Sequence, residues 1–431
     1  MNFEKLIRQS LIWRGFYFVA VLVLNIVLSR YLQAAGAGWV YFLTNLYSLV
    51  VLVSSLSLES GLAFFAASQK NILKQALGWF AMLFAMVVSV LLLPMSKIYF
   101  TYYPLHDVPS KNTVLFGGYY TLGIMLVNFF SVLFYAEKDY STPNIVLGLL
   151  NYFLAGYIFC LQRSNAPTEW AISIYFIFFI AQGAVLAVVF LIKYNLLLSF
   201  QLPSFLQAKE LLRYSALALA ANFVFFLVYR IDFWFVEQYR SQAELGNYIQ
   251  ASKMGQMLLI IPQILASVVL PQTAEGLNKI VIQHNILAIS RLLMQFFLVL
   301  GIFSFFFGEK IFSAVFGNSF HTMYLPFLLL LPGMLALCIL TLFSAYFGGT
   351  NKVYINMVGG LLALVFVILG NFCFTNQYGI VAAAMISSIG YTINLAYALY
   401  IFLGQEASFS IKDFFRWRME DYKWVKGLFK K

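Results

Sequence analysis

The stretch Lys209–Pro271, KELLRYSALALAANFVFFLVYRIDFWFVEQYRSQAELGNYIQASKMGQMLLIIPQILASVVLP, decides how the whole chain is read. Two apolar segments, residues 209–236 and 246–272, flank a short polar loop. Each is long enough to cross a bilayer, which takes about 20 helical residues. Yet the first carries Arg230 and Asp232, and the second carries Gln250, Lys253 and Gln256. A charge at the bilayer centre costs roughly 2.5–3.5 kcal/mol on insertion scales, so such groups face a water-filled space or one another.

Working outward, the composition agrees. Only 10% of the residues are charged and 62% are hydrophobic, against about 25% charged in a soluble domain. The apolar runs lack period-2 alternation, which excludes a membrane β-barrel. Twelve spans are expected, at residues 10–32, 38–66, 72–94, 113–136, 142–162, 170–193, 209–236, 246–272, 286–308, 323–348, 353–375 and 379–403. An even number puts both termini on one side. With the termini inside, and with Lys and Arg towards the span ends, such as Arg213 and Arg291, counted with the adjoining segments, 18 fall on the inner side and 6 on the outer, leaving Arg14, Arg230 and Lys253 within spans. That bias places both ends in the cytoplasm and accounts for the net charge of +11 without invoking nucleic acid. The first apolar run is too long for a signal peptide and reads as a retained helix. Cys160, Cys338 and Cys373 lie in apolar runs and read as packing residues rather than a disulfide framework. His106, His284 and His321 read as isolated loop residues without metal spacing.

Residues 194–208, with Pro203 and Ser204, read as a linker between two lobes. The expected domains are a six-helix lobe over 1–200, a second over 201–403 and a basic amphipathic tail over 404–431. Weak internal similarity supports a repeat. Tyr31 and Gly38 match Tyr239 and Gly246 at an offset of 208, Leu133, Phe134 and Ala136 match Leu342, Phe343 and Ala345 at 209, and Gly148 matches Gly360 at 212. Six helices per repeat make the halves parallel, with a central cavity expected between them. Pro262 is expected to kink the eighth span, and Pro326 and Pro332 the tenth. Glu137, Lys138 and Asp139 read as a solvated turn, and Pro143 as the start of the fifth helix. The tail presents Ile411, Phe414, Phe415, Tyr422, Val425 and Phe429 at helical spacing among basic residues, which suits a helix lying on anionic lipid.

Several local patterns carry a resemblance. A tyrosine-rich helix ending in R-I-D (Arg230–Asp232) is followed by L-G-x-Y (Leu245–Tyr248) and a proline-bearing helix closed by L-P. S-R-Y-L-x-x-x-G-x-G spans Ser29–Gly38, and AYFGGTNKVYINMVGG and YGIVAAAMISSIGY follow late in the chain. Together these resemble bacterial polysaccharide-unit flippases of the multidrug/oligosaccharidyl-lipid/polysaccharide exporter superfamily. The resemblance implies an all-α carrier of the bacterial cytoplasmic membrane that flips a lipid-linked oligosaccharide by alternating access, as a monomer without cofactor. It implies membrane lipids and a glycan polymerase as partners. It also implies a cavity lined by helices one, two, seven and eight. Those helices hold Arg14, Asn25, Arg30, Asn45, Glu59, Asn222, Arg230, Asp232, Gln250 and Lys253. Four of these are cationic and two anionic, which suits a pyrophosphate head group. Arg14 could equally snorkel to the headgroups. Glu59 and Asp232 are candidates for proton or sodium coupling, or for balancing neighbouring cations.

Two alternatives stay open. One is a multidrug or lipid II exporter of the same superfamily. Cationic drugs would meet repulsion from the cavity cations, and lipid II flippases carry two more spans. The other is a membrane glycosyl- or acyltransferase. It would need a catalytic group in an outer loop, where His106–Asp107 is the candidate pair, without a partner motif.

Overall fold

A computed structural model describes residues 3–68, 71–102, 112–196, 200–274, 279–405, 410–417 and 421. Among these residues the regular secondary structure is all helical. The helices are α1 (Phe3–Ser54), α2 (Leu58–Ser68), α3 (Asn71–Tyr102), α4 (Thr113–Ala136), α5 (Ser141–Arg163), α6 (Thr168–Lys193) and α7 (Phe205–Tyr239). There follow α8 (Gln242–Met257), α9 (Ile260–Ala274), α10 (Lys279–Phe316), α11 (Tyr324–Gly349), α12 (Val353–Gln405) and α13 (Ile411–Phe415). Ten of the described stretches are long and apolar enough to cross a membrane. Two of them are doubled. α1 has 52 residues and α12 has 53, so each would measure about 80 Å if straight, against a hydrocarbon core of about 30 Å.

Each long helix therefore breaks and folds back. In α1 the break is Gln33, at φ 59° and ψ 178°. Ser29 and Tyr41 would be about 18 Å apart along a straight helix, yet their hydroxyls lie 2.8 Å apart. The break falls on a non-glycine in a region otherwise occupied by glycine, although Gly36 and Gly38 follow within five residues. Gln33 Nε2 donates to the Arg30 carbonyl at 2.7 Å. In α12 the break is Gly379, at φ 66°. A Cβ added at Gly390 would lie 2.5 Å from Val367, and one at Gly370 would lie 2.8 Å from Ile386. Those pairings define an antiparallel hairpin. The doubled helices bring the crossings to twelve.

The chain divides into two compact units, Met1–Phe223 and Val224–Lys431. Within each unit the same contacts recur. In unit 1, α4 crosses α6 at Gly123, where an added Cβ would meet the Phe179 backbone at 2.2 Å. In unit 2, α11 meets the second arm of α12 at Gly333, where it would meet Ser388 Cα at 2.5 Å. Gly123 and Gly333 are 210 residues apart. Gly148 packs on Phe16, and Gly360 on Val224. The ends away from the chain termini of each unit match too. Tyr31 donates its hydroxyl proton to the Ala166 carbonyl, and Arg240 Nη2 donates to the Asn376 carbonyl at 3.2 Å.

Helix ends use one device. After α4, α5, α6 and α11 the chain passes through a left-handed residue: Lys138, Asn165, Asn195 and Asn351. The next N–H then returns to a carbonyl five residues back, as in Asp139→Phe134 and Lys352→Phe347. This satisfies carbonyls that a helix terminus leaves open.

Several expectations are corrected. The second span is interrupted at Ser55–Ser57, where Leu56 and Ser57 take φ 53° and 54°. The eighth span does break beside Pro262, at Leu258–Leu259, one turn upstream, as expected. Proline has no N–H to reach back four residues to the Leu258 carbonyl, and the Cys338 thiol donates there instead at 3.7 Å. Pro326 sits in the first turn of α11, where its missing N–H is one the helix leaves open anyway. Pro332 lies inside α11, which stays helical through it.

Cys338 is buried, whereas Cys160 and Cys373 are exposed, so only the first is a packing residue. His284 lies in α10, and His321 in a short 3₁₀ turn, Asn318–Met323. His106, Asp107, Tyr422, Val425 and Phe429 lie outside the described residues. Asp139 is not a solvated charge. It pairs with Lys193 at 2.6 Å and accepts from the Thr142 N–H, opening α5. Burial raises its pKa, but the hydrogen bonds from Lys193, Thr142 and Ser141 outweigh that and leave it below the usual carboxylate value.

Candidate functional site

In unit 2, α7 and α8 form a hairpin closed by a capping box at Ser241 and Glu244. The two motifs R-I-D and L-G-x-Y meet across it. Asp232, 1% exposed, accepts from Tyr248 at 2.5 Å and from Ser387 at 2.8 Å, both on Oδ2. Its Oδ1 accepts the Phe233 N–H at 3.0 Å. The carboxylate is thus fixed by α8 and by the second arm of α12. Protonating it would oblige one of the two hydroxyls to turn and accept.

Arg230 is two residues earlier and faces elsewhere, as a 200° step on a helix requires. Its Nη2 donates to Gln256 Oε1 at 3.0 Å, and the guanidinium lies 5.4 Å from the Phe233 ring centre. Gln256 in turn donates to Ser252 at 3.1 Å. Lys253 is half-buried on the same helix, three residues before Gln256 and so one turn from the side chain that Arg230 bonds. Gln250 is fully buried, and neither of its amide atoms has a hydrogen-bond partner.

Unit 1 spreads its polar groups. Arg14 is half-buried in the N-terminal part of α1, with its guanidinium 4.9 Å from the Tyr135 ring and 5.8 Å from the Tyr140 ring. Those rings stack on each other at 5.4 Å. This is a cation–π seat rather than a free snorkel. The Asn25 carbonyl accepts from Tyr41 at 3.4 Å, and Arg30 is exposed. Asn45 is buried with both amide atoms unpartnered. Glu59 is half-buried in the first turn of α2, just after the left-handed break. Asn222 donates to Ser57 at 3.2 Å, tying the break to α7.

The structure brings Arg230, Asp232 and Lys253 into one hairpin. It places Arg14 and Glu59 on separate elements of unit 1. Sequence reasoning missed Tyr248 and Ser387 as holders of Asp232. Tyr248 sits in the L-G-x-Y pattern and was visible there. Ser387 sits in a small-residue run that reads as helix packing, and its role needs the fold.

No protein-family model matches the chain, and none of the curated proteins matches it. Solved structures do. An inward-facing multidrug resistance MATE family transporter of the MOP superfamily aligns over 100% of this chain and 96% of its own, with TM-score 0.64 and 13% identity. An outward-facing form aligns over 99% and 97%, with TM-score 0.60 and 13% identity. A MOP superfamily transporter from Pyrococcus furiosus aligns over 99% and 97%, with TM-score 0.61 and 12% identity. The last is described as having a binding pocket of reversed polarity that suggests a different function. At these identities the likeness is one of fold: the chain is an all-α, two-lobed protein with the architecture of the MATE transporters.

Proposed function

We propose that this protein is an alternating-access carrier of the bacterial cytoplasmic membrane, with both termini cytoplasmic, that flips a polyprenyl-pyrophosphate-linked oligosaccharide. One observation carries the choice of substrate. Arg230 reaches across the hairpin to Gln256, which lies one helical turn from Lys253 on α8, so the two basic side chains belong to one place among the membrane-spanning helices of this unit. A pyrophosphate suits that pair by forking onto the guanidinium and meeting the ammonium as a point charge. The inward- and outward-facing relatives in fold support alternating access. The reversed polarity described for the Pyrococcus protein supports the view that pocket charge sets the substrate on this scaffold.

The test is glycan export by cells carrying single variants. Arg230→Ala and Lys253→Ala are expected to keep near-normal membrane levels and abolish export, with Arg230→Lys recovering part of it. Normal export by both neutral variants would sink the reading. A second reading, multidrug export, is supported more directly by the solved structures, two of which are multidrug resistance transporters. It predicts efflux of a cationic dye that Arg230→Ala leaves intact or improves.

A further inference from the structure

α13 and Asp421 are held on α10 by one side chain. Arg291, in the N-terminal third of α10, is 1% exposed. Its Nε donates to Asp421 Oδ2 at 2.7 Å, and its Nη2 to Asp421 Oδ1 at 2.6 Å. Its Nη1 donates to the Asp413 carbonyl at 2.6 Å. Three guanidinium nitrogens thus serve one short tail, in the forked geometry that makes a strong ion pair. Phe414 is buried as well, and Ser410 and Asp413 form the capping box that starts α13.

The other face of the strap is open. Ile411, Phe415 and Trp417 are 51%, 60% and 58% exposed, and Lys412 and Arg416 are exposed between them. Large apolar side chains grouped this way mark an interaction surface. α10 has 38 residues, about 57 Å against a core of about 30 Å, so its ends reach the headgroup zone. The strap starts six residues after the end of α12, whose second arm of 26 residues measures about 39 Å and also outruns the core, so the strap lies at the membrane boundary. Aromatic and aliphatic side chains mixed with cations match the boundary between acyl chains and anionic headgroups.

We propose that the Arg291–Asp421 clasp orients the tail so that Ile411, Phe415 and Trp417 enter the adjacent leaflet while Lys412 and Arg416 select anionic lipid. This does not depend on the transported substrate. The full chain, with its three cysteines replaced by serine and Phe415→Cys carrying a bimane label, is reconstituted in brominated phosphatidylcholine vesicles with or without phosphatidylglycerol. Bromine is expected to quench the label, and more strongly with phosphatidylglycerol. The variant Lys412→Gln/Arg416→Gln leaves the clasp intact and should remove the phosphatidylglycerol dependence, about fivefold per charge in the partition of the strap into the leaflet. Asp421→Asn should lower quenching in both vesicles. A label that bromine does not reach would overturn the lipid surface. Equal quenching with and without phosphatidylglycerol would overturn the role of the cations. If Asp421→Asn reconstitutes and is quenched as fully as the parent, the clasp does not orient the tail.

Discussion

In unit 1 the fourth and sixth helices meet at Gly123; in unit 2 their counterparts meet at Gly333, 210 residues on. The second helix is broken in both units, at Ser55–Ser57 and at Leu258–Leu259. The polar groups do not repeat. Unit 2 gathers Arg230, Asp232 and Lys253 on one hairpin, with the carboxylate fixed by three donors. Unit 1 seats Arg14 on two tyrosine rings and leaves Glu59 half-buried at a helix start. Backbone packing constrains both copies alike, because two helices cannot cross closely over a Cβ. Charge placement is free of that constraint, and the two copies differ in it.

The largest effect tests the crossings. Gly123→Ala and Gly333→Ala each force a Cβ onto backbone atoms that cannot move aside. Each is expected to cost more than about 3 kcal/mol, at the upper end of overpacking. Gly360→Ala, whose Cβ would meet Val224 at 3.2 Å, should cost far less. Thermal unfolding in detergent ranks the three. A mild Gly123→Ala beside a severe Gly333→Ala would mean that the crossings are not equivalent.

The carboxylates come next. Asp232→Ala strands two buried hydroxyls and should destabilise by about 2–3 kcal/mol. Asp232→Asn should cost less, because Tyr248 and Ser387 can reorient, yet it should lose gradient-dependent transport in proteoliposomes. Glu59→Gln forfeits a favourable helix-start charge, worth at most about 1 kcal/mol. Transport by the parent chain that is indifferent to imposed proton and sodium gradients would reduce both residues to charge balance.

Asp139 offers a pH test confined to unit 1. Its folded pKa lies below the unfolded value. Its contribution is therefore complete above the unfolded pKa and is lost as pH falls through the folded one. Asp139→Asn should lower the melting temperature at pH 7, and the gap from the parent should narrow as pH falls below the ordinary aspartate value of about 3.9 and close once it is below the folded value. A gap that persists in acid would assign the effect to shape rather than charge.

The smallest effect compares two turns. Lys138 and Asn351 occupy matching left-handed positions, at φ 60° and 59°. Asparagine tolerates that conformation better than lysine. Lys138→Asn should stabilise unit 1 by a few tenths of a kcal/mol, on the order of a preferred turn residue. Asn351→Lys should do the reverse in unit 2.

Much of the architecture is legible in the residues. Runs of apolar side chains long enough to span a bilayer have one stable outcome, because backbone polar groups in lipid must bond within a helix. The expected span 113–136 coincides with α4, and Asn165, Asn195 and Asn351 sit where helices stop. The drifting offset of 208–212 marked pairs such as Gly148 and Gly360 before their shared packing was visible. The charges inside spans were legible as candidates, since their insertion cost demands a reason.

Other features were decided by tertiary structure. The left-handed break at Leu56–Ser57 has no glycine or proline to announce it; Asn222 bonds Ser57 there from 165 residues away. The turn within α1 settles on Gln33 although glycines lie nearby. Which way Arg230 and Asp232 point follows from helix phase, but which partners receive them does not. Ser387 reaches Asp232 across 155 residues, and Asp421 reaches Arg291 across 130. Local sequence sets periodicity and helix ends through steric and hydrogen-bond rules acting over a few residues. Contacts between distant helices depend on which small residues let two backbones approach, and that is settled only when all the helices of a unit pack at once.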